Sequence, residues 1–282
     1  MDGVEADRAA QDRLAAGWRH LAAFFQEGVR HLPEAVAAFR AAEHLQRRAG
    51  GGDALVNTLL GLSLALRLLR DPEEGRRAVV LAQELVNIVR RGRGEQDALA
   101  YRGALEAACR DLADVERDGA AIGAVEQGID ACDRTLRLAR RLRVDAPLPA
   151  ARATKAALLV RLIVLRRQAD ARRWRDAERL FAAALAAWPE RDIEGGAVVR
   201  CDFAEALAAG GDAGRAELLA GEAAAALRGT GNRYLQARAA RAEARAALAA
   251  GRPDALDRVV TAAAAFRALG CEWDARQVEA LV

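Results

Sequence analysis

Apolar residues recur through most of this chain at spacings of three and four, the period of a helix with one buried face, and Gly, Pro or Asp breaks that pattern at intervals. The pattern predicts about six antiparallel helix pairs: 8 to 30 with 33 to 48, 54 to 70 with 73 to 90, 96 to 117 with 119 to 143, 150 to 171 with 174 to 187, 193 to 209 with 213 to 228, and 232 to 250 with 253 to 269. A last helix, 271 to 281, would cap them. The breaks carry specific chemistry. Pro33 opens a helix that Gly50 ends, and Asp71-Pro72-Glu73-Glu74 supplies an N-cap, an N1 proline and an acidic first turn. Gly92 and Gly94 are expected to stop the helix before them. Val144 to Pro149, with two prolines, reads as the linker between an N-terminal half, 1 to 145, and a C-terminal half, 146 to 282. Each half would hold three pairs. The third pair is long and irregular, with Gly119, Gly123 and Gly128 in its second helix.

The stretch RWRDAERLFAAALAAWP, 173 to 189, is partly rewritten at 212 to 226 and again at 251 to 265, so that Ala177, Ala216 and Ala255 fall 39 residues apart. Ala184, Ala223 and Ala262 repeat in the same register. Two small residues seven apart share one helical face and leave a seam where another helix can approach closely. Composition agrees with an all-α chain: 52% of residues are hydrophobic, aromatics are 4%, alanine dominates, and Ser63 is the only serine. Lys155 is the single lysine, a bias that fits a GC-rich genome, so arginine counts alone mean little.

The pattern Ala177, Phe181, Ala184, Pro189, repeated in part as Ala35, Phe39, Ala42 and as Gly75, Val79, Ala82, resembles the second helix of tetratricopeptide repeats. That resemblance implies a right-handed α-solenoid of about six pairs plus a C-terminal capping helix, with first helices lining a concave groove that binds peptide. The 39-residue step is longer than the usual repeat of about 34, and the closing AFRALGCEWDARQVEALV is similar to sensor regions of large bacterial transcriptional activators. Such activators also carry an ATPase and a DNA-reading helix-turn-helix. No G-x-x-x-x-G-K-[ST] occurs here and no segment is left for a DNA-binding domain, so the chain is expected to act through others.

Charge and motifs narrow the function further. With 43 basic against 40 acidic residues the chain is no polycation, which gives little support to nucleic-acid binding. Four cysteines, Cys109, Cys132, Cys201 and Cys271, lack a C-x-x-C pair and read as buried thiols of a cytoplasmic protein. No apolar stretch suits a signal or a membrane span. His20, His31 and His44 show no metal-ligand spacing, the fragment Gly92-Arg93-Gly94 has no βαβ context, and Ser63 sits where a helix seam needs a small residue, so no metal, cofactor or catalytic role is assigned.

The sharpest electrostatic feature is 151 to 175, where Arg152, Lys155, Arg161, Arg166, Arg167, Arg172, Arg173 and Arg175 face only Asp170. A second stripe, Arg238, Arg241 and Arg245 with Tyr234, lies on one face of a later first helix. Arg161, Arg166, Arg238, Arg241 and Arg245, with Asn57 and Arg67 on the second pair, are the candidate partner-binding residues, suited to an acidic peptide, a C-terminal carboxylate or a phosphate. Arginines ending the second helices of the first three pairs read as complements to the helix dipole. The expected function is a non-catalytic protein or peptide scaffold. The alternatives are a ligand-responsive sensor module and an enzyme built around Glu106, Cys109 and Cys132. An N-terminal helix with no cap over it leaves homodimerisation open.

Overall fold

The computed structural model describes residues 3–167 and 170–282, with side chains from Glu5 onward. Among the described residues it is built of thirteen α-helices with no strand: α1 (Gly3–Glu27), α2 (Leu32–Arg48), α3 (Asp53–Leu68), α4 (Pro72–Arg93), α5 (Glu95–Val115), α6 (Asp118–Leu142), α7 (Leu148–Arg166), α8 (Ala171–Ala186), α9 (Ile193–Gly210), α10 (Ala213–Leu227), α11 (Arg233–Ala249), α12 (Ala255–Arg267) and α13 (Glu272–Glu279). No described helix is long and apolar enough to cross a membrane. Neighbours in sequence pack on one another, as expected when connections of one to six residues join the helices. The chain divides into two compact units. One comprises the residues up to Phe24 with Arg30–Leu158, the other Phe25–Val29 with Leu159–Val282.

Helix starts are written in side-chain caps. Asp71 accepts from the backbone N–H groups of Glu73 (2.9 Å) and Glu74 (3.0 Å), with Pro72 behind it. In the second unit Asp170, Asp192, Asp212 and Asn232 each accept from the N–H three residues on, at 2.9 to 3.2 Å, so α8 to α11 begin alike. These bonds satisfy N–H groups that a helix leaves without an internal partner.

Of the boundaries that differ from expectation, four have a clear physical setting. α1 stops at Glu27 because Gly28 adopts φ +105°, and a 3-10 turn, Val29–His31, follows. Gly28 also lies where a Cβ would strike the Leu269 carbonyl, and the Val29 N–H donates to that oxygen at 2.7 Å. α4 runs through Gly92 to Arg93, and Gly94 at φ +93° ends it. α7 closes at Arg166, while the expected span to 171 crosses residues 168 and 169, outside the described residues. The stretch 144–149 is packed: Leu148 opens α7, and Leu142 and Val144 lie against Leu99, Leu136, Leu138, Ala139 and Ala151. Its prolines shape the start of a helix instead of an exposed spacer.

The recurrent alanines form the seams. Ala177, Ala216, Ala255, Ala184, Ala223 and Ala262 are all buried, as are Ala35, Phe39, Ala42 and Phe181. Phe39 shows how a large residue uses the hollow: its ring lies between Gly17 of α1 and Gly61 of α3, where a Cβ on Gly17 would come within 2.6 Å of ring carbon Cε1. Overpacking such a seam is costly. Ala184→Leu is expected to lower stability by about 1–3 kcal/mol, and the same change at exposed Ala182 by less than about 0.5 kcal/mol, read from urea unfolding midpoints.

Candidate functional site

The arginine stripe of α11 faces α9, which packs directly against it in the second unit. Arg238 Nη2 lies 2.7 Å from Asp202 Oδ1, Arg241 Nε donates to Glu205 Oε1 at 2.8 Å, and Arg245 Nη1 is 3.5 Å from Glu205 Oε2. Asp202 and Glu205 stand one turn apart on α9, so three arginines on successive turns of α11 meet two carboxylates. Burial alone would push the Glu205 carboxyl up, but Arg241 and Arg245 outweigh it and hold it below the ordinary range. Burial likewise opposes the charge on Arg238, and Asp202 reverses the balance, leaving its pKa raised. The array is fixed and largely self-neutralised. Arg245, with 37% of its side chain exposed against 14% for Arg238, keeps the most surface for a partner.

Sequence reasoning found this stripe but missed its counterions. The signal was available in Asp202 and Glu205, each 36 residues before its arginine, close to one repeat earlier. The basic run of 151 to 175 is also partly neutralised in place: Lys155 Nζ donates to Asp133 at 2.5 Å and Arg173 lies 3.3 Å from Asp170. Arg161 and Arg166 are half-buried on α7, and both are engaged within the chain.

Arg67 and Asn57 belong to the first unit and do different things. Arg67 grips Asp111 of α5 through both Nε (2.8 Å) and Nη2 (2.7 Å), with Arg110 and Arg70 near the same carboxylate at 3.4 and 3.8 Å. Burial would raise the Asp111 pKa, yet Arg67, Arg110 and Arg70 together hold it well below the usual carboxylate range. Arg67 therefore clamps α3 to α5 rather than standing open to a partner. Asn57 is exposed on α3.

The third pair contains a buried polar nest. Glu106 of α5 is 1% exposed, its Oε1 meets no hydrogen-bond partner, and Thr135 and Cys132 of α6 lie against its carboxyl. Burial pushes its pKa up to about 7 against smaller opposing effects from Thr135, Cys132 and Arg102. Burial and the nearby Glu106 push the Cys109 thiol up to about 12, and Cys132 is raised too. Thiols held protonated are poor nucleophiles, and a carboxyl this enclosed presents no face to a substrate. All four cysteines are buried and outside any disulfide. Ser63 donates to the Ala78 carbonyl at 3.0 Å inside the α3–α4 seam. Among the described residues no group of three metal-binding side chains forms.

No protein-family model matches the chain. No curated protein matches it. Among solved structures, the crystal structure of BtubC (BKLC) from P. vanneervenii is similar at 14% identity over 99% of this chain and 92% of that one, with a TM-score of 0.42.

Proposed function

We propose that the chain is a non-catalytic scaffold or adaptor: a right-handed, tetratricopeptide-like stack of six helix pairs with α13 as cap, binding protein or peptide along the side formed by its first helices. The observation that carries this reading is the direct packing of first helix on first helix within a unit, α3 on α5 in one and α9 on α11 in the other, which gives each unit a side built of first helices. In the second unit the α9–α11 charges are locked by mutual ion pairs, so a ligand meets preformed groups and the scaffold loses little entropy on docking. Arg245, the most exposed of the α11 stripe, is the first side chain assigned to the partner, with Arg161 and Arg166 of the basic run on α7 beside it in the assignment.

Affinity capture from the source cell tests this with wild type and an Arg161→Ala/Arg166→Ala/Arg245→Ala variant of unchanged helicity and melting temperature. The variant is expected to recover at least about tenfold less of the specific partner, the equivalent of losing one charge-assisted hydrogen bond. Equal recovery of every captured protein would remove the assignment.

A further inference from the structure

A cluster of arginines without carboxylates lies elsewhere, on one edge of the first unit. Helices α2 to α6 pack consecutively through connections of one to four residues, so α2, α4 and α6 run in the same direction and end side by side. Those three ends carry Arg47 and Arg48, then Arg90, Arg91 and Arg93, then Arg140, Arg141 and the C-cap Arg143. Arg47 is occupied by Glu43 and Glu84, and Arg93 by Asp53. Arg48, Arg90, Arg91, Arg140, Arg141 and Arg143 are exposed, and none has a carboxylate within 4.0 Å among the described residues. The helix starts at this edge add Glu95, which faces Arg102, together with Asp97 and Asp145. Arginine remains in excess.

Complementing the helix dipole does not account for this. Every helix has the same dipole, yet the last turns of α8 and α10, the corresponding second helices of the other unit, hold no basic residue, α10 having only its C-cap Arg228, and the last turns of α1, α5, α9 and α11 hold none either. The one basic residue ending α12, Arg267, pairs with Glu272 and Glu279. In the first unit, by contrast, all three second helices end alike, each with two or three arginines.

We infer that this edge docks an extended acidic segment of a partner protein. The inference rests on the scaffold reading above and adds a second surface to it. Arg47 already shows the grip in place: its two terminal nitrogens take the two oxygens of Glu84 at 2.7 and 2.8 Å, the bidentate geometry that favours arginine for carboxylates. Three helix ends in a row span roughly 20 Å, the reach of about six to eight extended residues whose alternate side chains point the same way. The connecting residues 49–52, 94 and 143–147 hold no aromatic to stack on bases, and Val144 is packed inward, so no side chain there enters a bilayer. A net charge of +3 over the whole chain also draws no polyanion from afar.

The test is anisotropy of a fluorescein-labelled decaglutamate peptide with the full chain. The edge variant changes Arg48, Arg90, Arg91, Arg140, Arg141 and Arg143 to Gln; a charge-matched control changes exposed Arg13, Arg19, Arg117, Arg228, Arg252 and Arg276 to Gln. Circular dichroism melts confirm that each folds. Wild type is expected to bind with steep salt dependence, the edge variant at least about tenfold more weakly, and the control within about twofold of wild type. Equal loss in both variants, or no binding by wild type, overturns the inference. So does tighter binding of duplex DNA or phosphatidylserine vesicles through the same six arginines. If the peptide instead lets go in the Arg161/Arg166/Arg245 variant and holds in the edge variant, the edge assignment falls and the scaffold reading stands.

Discussion

Glu106→Gln is expected to stabilise the protein by about 3 kcal/mol at pH 8 and to leave stability nearly unchanged at pH 4. The carboxyl is buried between α5 and α6 with a folded pKa of about 7, against an ordinary 4.5. Between those values the folded chain holds a proton that the unfolded chain has released, so stability declines as pH rises from about 4.5 and levels off above about 7. Below 4.5 both states are protonated and the contribution of burial is fully present. Glutamine keeps the shape of the neutral acid without the proton to lose. Its amide also finds a place to donate: the Thr135 hydroxyl gives its hydrogen to the Ala131 carbonyl at 3.1 Å, leaving lone pairs toward residue 106. Urea unfolding of both proteins from pH 4 to pH 8 checks this. Parallel stability curves would show that Glu106 stays ionised in the fold, and a neutral nest would have to be abandoned.

That nest was visible in the sequence only as three residue types in an irregular pair, Glu106, Cys109 and Cys132, and their juxtaposition suggested chemistry. The structure brings them together and closes them in, which changes what they can do. A helical period indicates which residues share a face but not how tightly the facing helix covers it. The arginines failed to resolve for a related reason. Arg238 and Arg241 were legible as a stripe, while their carboxylates lie 36 residues away, beyond the three- and four-residue spacings in which helical ion pairs are written. Helix limits were easier, because caps and stops are local: Asp71, Gly94 and the repeated Asp170, Asp192 and Asp212 act within one turn of themselves. Where a limit was missed, at Gly28, the residue obeys contacts with Leu269 that no local pattern contains.

Phe39→Ala is expected to cost about 3–5 kcal/mol, at the upper end for one core aromatic, because of what surrounds it. The ring is fully buried on α2, with Trp18 edge-on at a centroid distance of 5.4 Å, and it occupies space that Gly17 and Gly61 leave by having no side chain. Truncation opens a cavity whose nearest walls are backbone, which cannot lean in to refill it. The same geometry sets the sign of a coupled change. Gly61→Ala alone drives a methyl into the ring and should destabilise by about 1–3 kcal/mol. Made in the Phe39→Ala background, the methyl enters empty space and replaces a flexible helical glycine, so it should stabilise by about 0.5–1 kcal/mol. A double-mutant cycle by urea unfolding therefore carries a coupling of at least about 1 kcal/mol. Additive effects would mean that the ring and the glycines do not share this space, and the account of small residues as seats for large ones would fail at its best-defined site.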